Sequence, residues 1–240
     1  MTDVDRLRKI IDESKYLVFF GGAGVSTASN IPDFRSSKGI YNEKYGNIPI
    51  EAIISHSFFM EHPEIFYKIY KEKLCFPNAM PNDCHKVLAR LEAKGILKAV
   101  ITQNIDDLHE KAGSKEVYKL HGSVTENHCM RCRKFYSLDY ILKSESVPLC
   151  SCGGIVKPDV VLYEEPLNDG VVSAAISHIM KADTLIVGGT SLAVYPAAYY
   201  IEFFRGKNLI IINMSKTPKD EDADLVINDD IAKVFRELGY

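Results

Sequence analysis

No apolar run in this chain approaches the roughly 20 residues that cross a bilayer, so no membrane-spanning helix is expected. The opening stretch MTDVDRLRKIIDESK follows an amphipathic helix pattern and lacks the apolar core of a signal peptide, which points to a cytoplasmic protein. Positive charge is not in excess either, since 29 Lys and Arg stand against 32 Asp and Glu for a net charge of −3. That balance, with the basic residues scattered, leaves no electrostatic footprint for sequence-independent nucleic-acid binding. The chain also lacks internal repeats, low-complexity tracts and long linkers. With 240 residues, 46% hydrophobic and 25% charged, it can bury a core in one domain or in one large and one small domain.

Residues 21 to 36, GGAGVSTASNIPDFRS, follow the apolar run Tyr16 to Phe20. The pattern predicts a strand, a glycine turn at Gly21, Gly22 and Gly24, and the N-terminus of a helix whose free N–H groups would face an anion such as a diphosphate. Thr27 stands where the usual dinucleotide fingerprint has its third glycine, so a plain strand-to-helix turn competes with this reading. Asp33, Phe34 and Arg35, just beyond Pro32, are too polar a segment for core and suit a loop that folds over a cofactor. No acidic residue closes a second strand about 20 residues later, which disfavours a hydride-transfer dehydrogenase.

Short apolar runs recur, and most stop at glycine or functional polar residues: YLVFF before GGAGVS, KAVIT before QNIDD, VYKL before HG, TLIVGG before TS, LIIIN before MS and DLVIN before DD. Helical patterns separate many of them, including His85 to Lys94, Gly170 to Lys181 and Pro196 to Arg205. The alternation predicts an α/β protein with a parallel sheet covered on both faces and a ligand crevice at the carboxyl ends of its strands. Residues 38 to 76, rich in aromatics and His, read as short helices, and residues 123 to 157 carry four cysteines; both are expected to be insertions forming a smaller domain.

Cys129 and Cys132, then Cys150 and Cys152 after a further 17 residues, can bring four thiolates to about 2.3 Å from one tetrahedral zinc. Four sulfurs without histidine suggest a closed, structural site, and the Cys-x-Cys spacing of the second pair tightens its loop. Disulfides are disfavoured in a reducing cytoplasm. Cys75 and Cys84 read as buried thiols, and His128 as a neighbour of an already filled shell.

The stretches GAGVSTASNIPDFRS, TQNIDDLHEKAG (102 to 113), LHGSV (120 to 124), the two cysteine pairs, KPDVVLYEE (157 to 165) and GTSLAVYPAA (189 to 198) occur in the order and spacing of the sirtuins. The chain therefore resembles these NAD-dependent protein deacylases over nearly its whole length, at the size of a compact prokaryotic member. The resemblance implies a Rossmann-like doubly wound sheet made of residues 1–37, 77–122 and 158–240. It also implies a small domain made of the helical module 38–76 and the zinc-ribbon module 123–157. NAD is then a consumed co-substrate of a transferase. Nicotinamide leaves, the acyl group of acyl-lysine passes to ADP-ribose, and free lysine and O-acetyl-ADP-ribose result.

Residue by residue, the resemblance makes His121 the general base that activates a ribose hydroxyl, a role its ordinary pKa suits. Taken alone, a His at the end of VYKL reads equally as a structural residue. Gln103, Asn104, Ile105 and Asp106 match the nicotinamide and ribose pocket, with Asn104 and Asp106 counted as catalytic; the rival reading is a helix cap. Gly22, Ala23, Gly24, Thr27, Asp33, Phe34 and Arg35 match diphosphate and nicotinamide-ribose contacts. Gly189, Thr190, Ser191, Asn213, Asp230 and Ile231 match the adenosine side, where Ser and Asn are also ordinary turn residues. Asn30 replaces a family glycine at a turn needing positive φ, which Asn tolerates next best.

An extended acyl-lysine peptide is expected to add a strand against Val160, Val161, Leu162 and Tyr163 and against the stretch Gly189 to Tyr195, including Val194, with Ile105 lining the acyl pocket. Family members that remove succinyl or malonyl groups carry Tyr-x-x-Arg, and here Tyr70 stands where the Arg would. A buried acyl carboxylate would be unpaired, so acetyl and longer neutral acyl groups are favoured, with Lys68 and Lys71 as possible counter-cations to check. Mono-ADP-ribosyl transfer and a non-catalytic NAD-binding or zinc-ribbon adaptor are the alternatives. A monomer without membrane or nucleic-acid partners is expected.

Overall fold

The computed structural model describes residues 2–37 and 39–240, so position 38, at the edge of the expected helical module, lies outside the described residues. Thr2 caps α1 (Asp3–Glu13) through a capping box with Asp5, and the chain enters β1 (Leu17–Gly21). Single 3₁₀ turns at Ala23–Val25, Thr27–Ser29 and Ile40–Asn42 lead to the hairpin strands β2 (Lys44–Tyr45) and β3 (Ile48–Pro49). Helices α2 (Ile50–Ile53), α3 (His56–Glu61), α4 (Pro63–Lys73) and α5 (Asp83–Ala93) follow, then β4 (Leu97–Thr102), α6 (Leu108–Ala112) and β5 (Val117–Lys119). Next come β6 (Asn127–Cys129), β7 (Phe135–Tyr136), α7 (Leu138–Lys143) and β8 (Val156–Pro158). The chain closes with α8 (Asp169–Lys181), β9 (Thr184–Gly188), a 3₁₀ segment at Ala197–Phe203, β10 (Asn208–Ile212), β11 (Leu225–Ile227) and α9 (Ile231–Leu238).

The six apolar runs form one parallel sheet in the order β11-β10-β9-β1-β4-β5. Every residue of β1 and β9 is buried, because these central strands are covered on both faces, which is why they read as continuous apolar runs. Along β1 the side chains alternate. Leu17 and Phe19 join a core with Leu7, Leu88 and Phe235, whereas Val18 and Phe20 join a core with Ile179, Ala197 and Ile201. The chain builds outward from β1 through β4 to β5 and then returns to β9 on the other side of β1. The switch point therefore lies between β1 and β9, where a parallel sheet opens a crevice at its carboxyl ends.

Three local expectations are corrected. No α-helix opens after the glycine turn, which breaks into two 3₁₀ turns and ends at Asn30 in the left-handed region (φ 62), as the turn there requires. Residues 39–76 contain a short hairpin besides helices, and residues 197–203 are 3₁₀ in place of α. Two of the turn glycines also sit against the β9 exit. A Cβ on Gly24 would lie 2.8 Å from Gly189 Cα, and one on Gly22 would lie 2.7 Å from Thr190 Cβ, so these residues let two loops touch.

A third core joins Ile50, Phe59, Phe66, Tyr67 and Tyr70 to Val124, Ile141 and Val156. Its aromatic rings interlock, with Phe66 stacked on Tyr70 at 5.4 Å and edge-on to Tyr67 at 5.3 Å. A three-stranded antiparallel sheet, β7-β6-β8, flanks it.

Between α5, α6 and β1 lie the buried rings of His85 and His109, with centroids 4.6 Å apart. His85 Nδ1 accepts the Asn82 N–H that closes the α5 cap, but His85 Nε2 and both His109 ring nitrogens have no partner among the described residues. Burial pushes the His85 pKa from 6.5 down to about 4 and that of His109 well below its ordinary value. Between pH 6.5 and 4 the unfolded chain therefore binds more protons than the folded one, and stability is lost as pH falls. The His85 contribution to this loss reaches about 3 kcal/mol at the low end. Denaturant melts across this range should show a shallower acid limb for His85→Gln, which keeps an acceptor for the cap; parallel limbs would refute the assignment.

Candidate active site

The exits of β1 and β9 are joined by backbone pairs. Gly22 N–H donates to Gly188 O (3.1 Å) and Gly24 N–H to Gly189 O (2.8 Å), while Gly189, at φ 60, donates to Ile212 O (3.0 Å). Around this seam opens a cavity of about 830 Å³. On its β1 side are Ala23, Thr27 and the loop Asp33 to Ser36, with Thr27 Oγ1 donating to Gly24 O. One carboxylate oxygen of Asp33 accepts the N–H groups of Arg35 (3.0 Å) and Ser36 (2.7 Å), so Asp33 shapes the loop that presents Phe34 and Arg35 to the cavity. On the β9 and β10 side are Gly189, Thr190, Ser191 and Asn213, whose amide donates to Ser215 O. Asp230 and Ile231 sit at the N-terminus of α9, where the Asp230 carboxylate accepts Lys233 N–H at 2.9 Å.

After β4 the chain delivers a polar cluster. Gln103 N–H donates to Gly21 O and its side-chain amide to Thr190 Oγ1 (3.1 Å), tying β4 to the β9 exit. The Asn104 amide donates to Ser26 Oγ (3.0 Å), and Ser26 Oγ donates to the Asp106 carboxylate (2.8 Å). Burial raises the Asp106 pKa against the Ser26 and Leu108 hydrogen bonds that favour its charged form. Asp106 does not line the large cavity. It lines a second, apolar one of about 250 Å³ that shares Ala23, Phe34, Leu74, Asn104 and Ile105 with the first.

His121 follows β5, and its Nδ1 lies 2.8 Å from Gln103 O. A carbonyl can only accept, so Nδ1 carries the proton and Nε2 keeps its lone pair. Burial lowers the His121 pKa, and the bond to Gln103 O partly offsets that. Gly122 at φ 73 must be glycine, since a Cβ there would lie 1.8 Å from Asp159 O. This close approach lets Val161 N–H donate to His121 O (2.9 Å), which places residues 160–163 along the cavity wall beside the histidine. The segment is held at its far end by the Glu165 carboxylate, which accepts from Leu162 N–H and from Lys157 Nζ and lies 2.8 Å from His56 Nδ1.

All of the cofactor-side and peptide-side residues expected from the sequence line the large cavity, Asp106 excepted. Tyr67 and Tyr70 line neither cavity; Tyr67 donates to Val156 O in the third core, and Tyr70 is fully buried beside it. Lys68 lies over the Tyr45 ring and Lys71 donates to Ser144 and Ser146 carbonyls, so neither is a counter-cation in the site. Sequence reasoning missed Ser26, Tyr41 and Leu74. Ser26 sits inside the glycine turn, where a serine reads as turn chemistry, and the other two carry no local signal.

The four cysteine sulfurs all lie within 4.8 Å of one another, with Cys129 to Cys152 and Cys132 to Cys150 each at 3.5 Å. The N–H groups of Arg131 and Cys132 point at Cys129 Sγ (3.4 Å each), and the Cys152 N–H helps hold the Cys150 thiol down to about 5. Backbone donors that stabilise thiolates, a four-sulfur shell and a fold of short strands fit one structural zinc.

The Sir2 family model matches residues 22–196. The chain is 60% identical to the NAD-dependent protein deacetylase of Clostridium perfringens, covering 98% of each chain. It is 56% identical to the protein of the same name from Clostridium acetobutylicum, covering 98% of this chain and 97% of that one. Among solved structures it is similar to Sir2 with a p53 peptide and NAD+ (TM-score 0.88, 41% identity, 99% and 97% covered). It is likewise similar to Sir2 bound to a propionylated peptide (TM-score 0.87, 40% identity, 99% and 97% covered).

Removal of the metal should loosen residues 127–158, because the strands that carry and flank the cysteines are only two or three residues long and are drawn together around the thiolates. Hydrogen exchange after chelation should lose protection there while β1 and β4 keep theirs, with about one zinc per chain released. Unchanged protection of residues 127–158 in the metal-free protein would refute a structural zinc.

Proposed function

The chain belongs to the Sir2 family, and from that premise we propose that its large cavity carries out NAD-dependent deacetylation of protein lysines. The protein is an NAD-dependent protein deacetylase, and NAD supplies an electrophilic ribose carbon with nicotinamide as leaving group. The cavity's size and its paired polar ends suit a dinucleotide. The observation that carries the residue assignments is the His121 geometry: a neutral ring fixed through Nδ1 to Gln103 O, with Nε2 basic, on the wall shared by the loop Asp33 to Ser36 and the segment 160–163.

In this reading His121 Nε2 takes the proton of a ribose hydroxyl, and burial keeps the ring neutral at physiological pH. Asn104, oriented by Ser26, offers amide groups to the nicotinamide end, and Asp106 acts by fixing Ser26. Phe34 and Ile105 form the apolar wall that keeps water from the reacting carbon, and Arg35 faces the diphosphate. Gly22, Ala23, Gly24 and Thr27 approach the diphosphate, while Gly189, Thr190, Ser191, Asn213, Asp230 and Ile231 take the adenosine side. An acyl-lysine peptide lies extended between Val160 to Tyr163 and Val194, pairing through its main chain. Tyr70 is buried in the third core and Lys68 and Lys71 are turned to other partners, so none of these three meets an acidic acyl group, which supports acetyl and longer neutral acyls. We read residues 39–76 and 123–157 together as the small domain flanking this groove, and the protein as a cytoplasmic monomer.

Mass spectrometry of an acetyl-lysine peptide incubated with the protein should show deacetylated peptide, nicotinamide and O-acetyl-ADP-ribose only when NAD is present. His121→Ala should lower the rate by about 10²- to 10⁴-fold. Because the folded His121 pKa lies below 6.5, kcat/KM should hold at neutral pH and fall only below that value as the ring protonates. ADP-ribosylated peptide in place of acetyl-ADP-ribose, or an acid limb centred above pH 7, would overturn these assignments.

A further inference from the structure

The cofactor loop and the peptide segment are joined by a side-chain hydrogen bond between the hydroxyls of Tyr41 and Tyr163 (2.8 Å), residues 122 apart in the chain. Each tyrosine is fastened to one of the two functional segments. Tyr41 N–H donates to Phe34 O (3.0 Å) and Ile40 N–H to Asp33 O (2.9 Å), so Tyr41 cannot shift without the loop that carries Phe34 and Arg35. Its ring also packs on Phe34 (centroids 5.2 Å) and lies under the Arg35 guanidinium (5.3 Å). Tyr163 belongs to the other segment. Its N–H donates to Ile54 O (3.1 Å) and its carbonyl accepts His56 N–H (3.0 Å), which commits its backbone to the strand-like bridge with Ser55.

The next residue, Glu164, stands at φ 75, a conformation a glutamate adopts only when its surroundings impose it. Its carboxylate accepts the N–H (2.9 Å) and hydroxyl (3.0 Å) of Ser57 at the start of α3. These contacts anchor the backbone at and beyond Tyr163, while its hydroxyl reaches across to Tyr41. Both tyrosines line the large cavity, and burial keeps the Tyr41 phenol protonated far above physiological pH.

We propose that Tyr41 and Tyr163 are a pair of positioning residues that couple the two substrate sites. An acyl-lysine strand seated on residues 160–163 holds Tyr163, and through it Tyr41 holds Phe34 and Arg35 over the nucleotide. The coupling is reciprocal, because a free energy linking two binding events acts equally on both. This inference rests on the reading of residues 33–36 as cofactor loop and 160–163 as peptide strand.

The test measures the dissociation constant of ADP-ribose, a non-reacting probe, with and without a saturating acetyl-lysine peptide, in the full-length protein. The ratio of the two constants is the coupling factor, and it is normalised against any change in single-ligand affinity. In Tyr163→Phe and in Tyr41→Phe, which keep the rings and lose only the bond, the factor should fall about three- to tenfold, the worth of one hydrogen bond. The double variant should match either single one, because the same bond is already gone. A purely structural role would instead lower the melting temperature and weaken both ligands while leaving the ratio unchanged. An unchanged ratio, a wild-type ratio of one, or losses that multiply in the double variant would overturn the coupling. A wild-type protein that binds neither probe would instead refute the proposed function.

Discussion

The contact on which the rest of the site depends is the approach of two backbone turns at the switch point of the sheet. Gly24 N–H reaches Gly189 O, and a Cβ on Gly189 would sit 2.4 Å from Val25 N, so neither turn tolerates a side chain at the seam. Parallel strands are about 4.8 Å apart, and their exits normally diverge into separate loops. Here they stay joined for two further residues. The loops that diverge afterwards, Thr27 to Ser36 on one side and Thr190 to Val194 on the other, become two walls of one cavity. Gln103, bonded to both Gly21 O and Thr190 Oγ1, extends the seam to a third strand.

The histidine is set by the same economy of backbone contacts. Gly122 allows the chain after β5 to lie against Asp159, and that brings His121 and Val161 into one hydrogen-bonded unit. Gln103 O then fixes the imidazole tautomer. Thus the polar cluster after β4 orients the ring at one nitrogen, while the segment after β8 frames the other side. The group with chemical potential is immobilised by main-chain atoms, which have little freedom to relax when a side chain nearby is changed.

The aromatic core of residues 50–70 serves the site indirectly. Phe59, Phe66, Tyr67 and Tyr70 fill the space between the helices and the thiolate-bearing strands, and Leu74 at the end of α4 reaches both cavities. The zinc-binding cysteines stabilise that packing from outside the cavity, since Cys129 and Cys150 are themselves members of the core. A ribbon of two- and three-residue strands has too little buried surface to order itself, and metal–thiolate bonds replace the missing core.

Much of this was legible in the sequence where the physical cause is local. The six sheet strands stand out because both faces of a parallel sheet are buried, and the four-cysteine cluster because its spacing suffices to close a shell. Asn30 announced its left-handed turn, and the order of the motifs announced the family. What the sequence could not decide depends on residues far apart along the chain. The glycine turn reads as a helix start, yet it forms two 3₁₀ turns, and its Gly24 N–H reaches Gly189 O, 165 positions away by their numbers. Tyr70 reads as an acyl-pocket residue, yet ring packing with Phe66 draws it into the core. The Tyr41–Tyr163 bond has no signature in either local stretch. Local propensity and spacing thus determined the elements and the chemistry available, whereas long-range contacts decided which of those groups meet, because a hydrogen bond between distant segments exists only once the sheet has brought them together.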